Sequence, residues 1–184
     1  MFPRCRIGQV SSVVGAATLL TLAGAPGAMG RGPRQLAFNQ PLNTFDAAAV
    51  QRAKFGAGKK LQDPECLKVL TDFKDRDGRT LDQSLETWGL SAAAYLEGLP
   101  FRDGSSMQHC RKGSIAMVTS VGRPPVYICP AGVGVLNSRF AQVQAQSPSL
   151  AESMVIHEML HTLGLGENPP STFEITESVR RRCR

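Results

Sequence analysis

Apolar residues along this chain fall into one short unbroken run, several helical stripes and one alternating stretch. The unbroken run covers residues 10–23, follows Arg4 and Arg6, and gives way to small residues, with no acid before Asp46. It is too short to span a membrane and has the three-part form of a secretory signal peptide over 1–30, with small-x-small cleavage after Gly27 or Gly30. An uncleaved N-terminal anchor is the alternative reading. Residues 31–60 are rich in Gly, Pro, Gln, Lys and Ala without clear periodicity, which predicts a flexible mature N-terminus.

Helical stripes begin at Asp63-Pro64, an N-cap followed by proline at the first helical position, and put Cys66, Leu67, Leu70 and Phe73 on one face. Residues 81–99 predict two helical pieces broken at Gly89, with Ser91 as a cap and Trp88, Leu90, Tyr95 and Leu96 as core candidates. Residues 114–120 alternate as a strand, 121–125 read as a Gly/Pro turn, and 126–129 as a second strand. The most apolar stripe follows Ser147-Pro148-Ser149, where Ser149 and Glu152 have capping-box spacing. Leu150, Met154, Val155, Ile156, Met159, Leu160 and Leu163 cover most of that helix, which makes it a core element. Leu163-Gly164-Leu165-Gly166 ends it, since glycine takes the left-handed C′ conformation without a Cβ penalty. After the extended Asn168-Pro169-Pro170, Ser171 and Glu174 form a second capping box that opens a final helix with Ile175 and Val179 inward. The expected class is α+β: a domain over 61–184 with a short antiparallel sheet, a buried helix and a C-terminal helix.

The buried helix carries the chemistry. Two of the chain's three histidines, His157 and His161, lie four residues apart on it and project from one face. Imidazoles so placed can converge on one zinc ion, and Glu158 between them is placed to act as a general base. An amphipathic core helix with incidental histidines accounts for the leucines. It does not account for an acid between two histidines on so apolar a helix, because buried charge is costly unless paired or metal-bound.

The stretch His157-Glu158-Met159-Leu160-His161-Thr162-Leu163-Gly164-Leu165-Gly166-Glu167 resembles the metzincin zinc peptidases, whose signature is H-E-x-x-H-x-x-G-x-x-H, within the wider zincin group. The resemblance covers about residues 150–168 and departs in two ways: Glu167 stands at the third-ligand position, and no methionine follows Met159 to make a Met-turn. The Gly166-to-Ser171 stretch is also similar to the ending of small secreted bacterial proteins. The resemblance implies a secreted or periplasmic metalloprotease, a hydrolase of peptide or protein substrates. Zn²⁺ would be held by His157, His161 and Glu167, with Glu158 as general base. A third ligand from a later helix, the gluzincin pattern, leaves Glu174 and Glu177 as rivals, although the capping box already explains Glu174 and a solvated helix face explains Glu177. Two other classes stay open: a zinc-stabilised envelope binding protein without turnover, and a structural envelope protein without metal.

Charge and cysteines narrow the setting. Losing Arg4 and Arg6 lowers the formal charge from +6 to +4, and the remaining cations are scattered without interleaved aromatics, which argues against nucleic-acid binding. Arg180-Arg181-Arg182, the one run, suits a helix C-terminus. Cys5 leaves with the signal peptide, so the mature chain keeps Cys66, Cys110, Cys129 and Cys183, an even number that suggests two disulfides in an exported protein. Three connectivities are possible. The predicted hairpin between Cys110 and Cys129 favours that pair, leaving Cys66 for Cys183. Asp75-Arg76-Asp77-Gly78 is a turn and not an EF-hand, because Phe73 and Ser84 occupy the essential carboxylate positions. Tyr127 on the second strand is a candidate oxyanion donor with packing as its commoner role, and His109 reads as a loop residue. N-terminal sequencing of the exported protein should begin at Ala28 or Arg31; a full-length, reduced cytoplasmic chain would refute export.

Overall fold

The computed structural model describes residues 40–112, 116–132, 135 and 137–184. The signal-peptide expectation, residues 31–39 and the first two positions of the predicted 114–120 strand lie outside them. The element order is α1 (Thr44–Lys60), α2 (Pro64–Leu67), α3 (Val69–Asp72), α4 (Leu81–Trp88), α5 (Ala92–Gly98), β1 (Phe101–Asp103), a 3-10 turn (His109–Lys112), β2 (Met117–Ser120), β3 (Arg123–Ile128), α6 (Arg139–Gln146), α7 (Pro148–Thr162) and α8 (Thr172–Arg182). This is the expected α+β class. No helix among the described residues is long and apolar enough to cross a membrane.

α7 sits at the centre, with α1, α6, α8 and the sheet packed around it. Ala151, Val155, Ile156, Met159 and Leu160 are all fully buried, so the helix has no wet face of ordinary width. It begins at Pro148 with Ser147 as N-cap, and the capping box expected at Ser149 and Glu152 does not form. Those side chains turn to α1 instead: Lys60 donates to Ser149 Oγ (2.9 Å) and pairs with Glu152 (3.0 Å). A largely shielded lysine–glutamate pair between two packed helices outcompetes the local cap.

The flexible N-terminus predicted for 31–60 is corrected from Thr44 onward, where α1 runs for 17 residues. Asn43 caps it, accepting from the Asp46 amide, and the buried Asp46 carboxylate accepts from Asn43 Nδ2 and from the Ser138 amide at the start of α6. The buried face of α1 is Ala49, Val50, Ala53 and Ala57. Small residues at i, i+4 and i+8 give almost no hydrophobic signal, yet they let a helix axis come close to α7. At Gly56 a Cβ would lie 2.1 Å from Glu152 Oε1, so that carboxylate crosses α1 over a glycine.

The sheet also differs from expectation. Its order is β1-β3-β2, with β2 antiparallel to β3 in the predicted hairpin and β1 parallel to it, so the sheet is mixed. β1 went unpredicted because three residues, Phe101-Arg102-Asp103, are too few to show a period. Phe101 stands opposite Val126 and Met117 opposite Ile128, and all four are buried on the core face. β3 starts at Arg123, within the predicted turn. Asp63 and Ser91 cap as predicted, and Gly89 is left-handed between α4 and α5. Trp88 and Leu90 are corrected: α4 buries Leu81 and Leu85 instead, and Trp88 stacks on Tyr95 at the surface with centroids 5.5 Å apart.

Both disulfides form in the favoured pairing. Cys110–Cys129 ties the 3-10 turn to the end of β3, and Cys66–Cys183 ties α2 to the end of α8. Arg182 adds two bonds to Asp72 (2.8 and 2.9 Å) and one to Glu65 on the same side. The sequence separations are 117 and 19. On a chain-entropy argument, removing the Cys66–Cys183 bridge should destabilise more than removing Cys110–Cys129, by about 1.5 kcal/mol. Urea melts of the two double-serine variants measure this, and an equal or reversed order would show that native-state terms dominate.

Candidate metal centre

The end of α7 builds the site. Leu163 is the helix C-cap and Gly164 follows in the left-handed region, at φ 115°. The Gly164 amide donates to the His161 carbonyl (3.0 Å) and the Leu165 amide to the Leu160 carbonyl (3.1 Å). These two bonds are a Schellman motif, with the fully buried Leu165 and Leu160 as its apolar contact. Glycine is required twice over: the φ is unfavourable for other residues, and a Cβ would meet the Asp75 Cβ at 3.1 Å. The Asp75 turn, whose carboxylate accepts from the Asp77 and Arg79 amides, bridges to Leu165 and braces this corner. From the opposite side Gly122, in the β2–β3 turn, donates to the His161 carbonyl at 2.8 Å.

The turn sends the chain back so that Glu167 meets the histidines. His161 Nε2 lies 3.0 Å from His157 Nε2 and 3.2 Å from Glu167 Oε1, and His157 Nε2 lies 3.8 Å from the same oxygen. Both histidines are buried and the Glu167 side chain is 38% exposed, so the cluster opens on the glutamate side. The outer ring nitrogens are occupied: His161 Nδ1 donates to the Leu165 carbonyl (2.8 Å), and His157 Nδ1 is 3.1 Å from Thr176 Oγ1. A carbonyl only accepts, so the His161 proton sits on Nδ1 and its Nε2 lone pair faces His157 Nε2 and the Glu167 carboxylate. With His157 also protonated on Nδ1, all three facing atoms offer lone pairs that one cation can take up together. Tetrahedral zinc with bonds of about 2.0–2.1 Å keeps its ligand atoms roughly 3.3 Å apart, close to the spacings here. The group His157, His161 and Glu167 can hold a metal ion.

The rival glutamates lie elsewhere. Glu174 accepts from the Ser171 amide and hydroxyl as the capping box requires, and Glu177 pairs with Arg180 on an exposed face. His109 is exposed in the 3-10 turn. Tyr127 alternates with the buried Val126 and Ile128, so it lies on the sheet face away from the core, which favours its packing role. Sequence reasoning missed Thr172 and Thr176. Thr172 Oγ1 donates to Glu167 Oε1 at 2.7 Å, and the only advance signal was the four-residue spacing on one helix face.

Electrostatics set the resting charges. Burial first and the neighbouring His161 second pull His157 down from 6.5 to about 4, against the pull of Glu167. Burial, with the Glu167 charge behind it, pushes Glu158 up from 4.5 to about 8. A divalent cation at the three ligands would favour the ionised form of Glu158 again. Comparison with family profiles, with curated proteins and with solved structures finds no match to the chain.

The two shifts oppose each other in chelator-treated protein. A depressed His157 gives stability that is complete above pH 6.5 and is lost as pH falls towards about 4. A raised Glu158 gives stability that is complete below pH 4.5 and is lost as pH rises towards about 8. Thermal melts should therefore show wild type nearly flat between about pH 4.5 and 6.5. Glu158→Gln should gain stability with rising pH across that window and His157→Gln should lose it. Parallel profiles for the two variants would rule out these shifts.

Proposed function

We propose that the protein is an exported zinc-dependent metallopeptidase of the zincin kind, acting on peptide or protein substrates outside the cytoplasm or in the periplasm. The observation that carries this reading is the convergence of His157 Nε2, His161 Nε2 and Glu167 Oε1, with Glu158 next to His157 on the same helix. Three protein ligands of this kind are the donor set of a catalytic zinc site, which keeps a fourth position for water or substrate. The exposed side of Glu167 is where a substrate can approach. Two disulfides and the predicted signal peptide support export.

A zinc ion bound there supplies Lewis acidity, polarising the scissile carbonyl and acidifying water. Glu158 takes the proton of the attacking water and passes it to the leaving amine. His161 is held with its proton on Nδ1 by the Leu165 carbonyl, so Nε2 is free to ligate. Glu167 brings one negative charge to the ligand set, where a third histidine would bring none. With zinc bound, that charge would leave more of the proton removal to Glu158.

A centre that only braces the fold would use the same three ligands but has no need of Glu158. Glu158→Gln should therefore keep stoichiometric zinc and, with zinc bound, a wild-type melt, while losing peptidase activity on the order of 10²–10⁴-fold. Glu167→Ala should lose zinc, whereas Glu174→Ala should keep it and cost about 0.5–2 kcal/mol of stability as a lost cap. Metal analysis, a peptide-library assay and melts decide between readings. Wild type that binds zinc and cleaves nothing would identify a metal-stabilised binding protein, and wild type that binds no zinc would exclude the metal centre.

A further inference from the structure

Each histidine ring is held at its outer nitrogen by a group from beyond α7. His161 is steadied by the Leu165 carbonyl, a backbone group delivered by the turn that ends α7. His157 has no such carbonyl. Its Nδ1 faces the hydroxyl of Thr176, 19 residues further along, on α8. One turn earlier on α8, the Thr172 hydroxyl donates to Glu167 Oε1, the oxygen that faces both Nε2 atoms. Residues four apart share a helix face, so one stripe of α8 reaches two of the three ligands.

The chemistry gives each hydroxyl a task. A neutral imidazole that ligates through Nε2 must carry its proton on Nδ1 and needs an acceptor there. The Thr176 hydroxyl oxygen, 3.1 Å from that nitrogen, can accept its proton. With a methyl in its place, the Nδ1–H of the ligating form would lose this partner, which disfavours ligation through Nε2. Glu167 sits in a loop and is partly exposed, so its carboxylate can swing into water; the hydrogen bond from Thr172 aims Oε1 inward while leaving that oxygen a second lone pair. α8 is itself well anchored, through the buried Ile175 and Val179, the Arg182 bonds to Asp72 and Glu65, and the Cys66–Cys183 bridge.

We propose that Thr172 and Thr176 are positioning residues for the metal centre, Thr176 accepting from Nδ1 of His157 in its ligating tautomer and Thr172 orienting Glu167. The assignment rests on the metal-centre reading above and assigns no step of the reaction to either residue. A purely structural threonine would serve as well with a methyl in place of its hydroxyl, so valine and serine substitutions separate the two roles.

The test uses the full exported chain loaded with Co²⁺ or Zn²⁺, with affinity read by competition against a chromophoric chelator and ligand geometry read from the visible Co²⁺ spectrum. Thr176→Val should weaken metal binding about 10- to 100-fold and change the Co²⁺ bands, while Thr176→Ser restores both. Thr172→Val should weaken binding less, because water can replace its bond to an exposed carboxylate, and Thr172→Ser should match wild type. If Thr176→Val does not fold, Thr176→Ala and Thr172→Val, each judged against its serine counterpart, take its place. Folded variants lacking the hydroxyls that bind metal as wild type does, with an unchanged Co²⁺ spectrum, would overturn the assignment alone. Wild type that binds neither ion would overturn it together with the metal centre.

Discussion

The fold depends on burying a helix that carries two imidazoles. α7 is covered on nearly every side, and His157 and His161 are each only 6% exposed. A buried polar group without a partner costs about 1–3 kcal/mol, so four ring nitrogens need partners at the protein's centre. Two find them in the outer layer, at Leu165 O and Thr176 Oγ1; two face each other and Glu167. Leu165, Thr176 and Glu167 all come from chain beyond α7. The stop at Leu163–Leu165, the return to Glu167 and the docking of α8 are therefore one linked arrangement.

The surrounding elements supply rigidity in ways suited to a small domain. α1 gains its position through alanines and a glycine that permit close approach, plus the Lys60–Glu152 pair, and not through large side chains. The sheet contributes Phe101, Met117, Val126 and Ile128 to the core, and its β2–β3 turn reaches the carbonyl of His161. The long disulfide closes the last helix onto the second. A chain of this size buries a modest core, and two cross-links reduce the freedom of its unfolded state.

Within the site, one physical tension recurs. Burial disfavours charge on His157 and on Glu158, lowering one and raising the other, while His157, His161 and Glu167 form a group that can hold a metal ion. A divalent cation there would suit both, since it is neutral imidazole that ligates and a nearby cation that favours a carboxylate. The partial exposure of Glu167 keeps one side of that charge in contact with solvent.

The sequence by itself determined what local chemistry determines. The helix around His157 and His161, the glycine stop after it, the capping box at Ser171, the caps at Asp63 and Ser91, and the Gly89 break are all set by neighbours within four or five residues. Cysteine parity and the hairpin made the disulfide pairing favoured but not unique. Tertiary structure decided what depends on distant partners. α1 is a helix although its face reads as small and polar, because α7 is there to receive it. The Ser149–Glu152 cap gives way because Lys60 lies across from it. β1 exists because β3 offers a parallel edge, and Trp88 stays at the surface because α4 has only one buried face. Among Glu167, Glu174 and Glu177, spacing left the third position open; the Schellman turn at Gly164, braced by the Asp75 loop, brings Glu167 to the histidines. Thr172 and Thr176 carry no motif at all, and their place beside the site follows only from where the packing of Ile175 and Val179 puts α8.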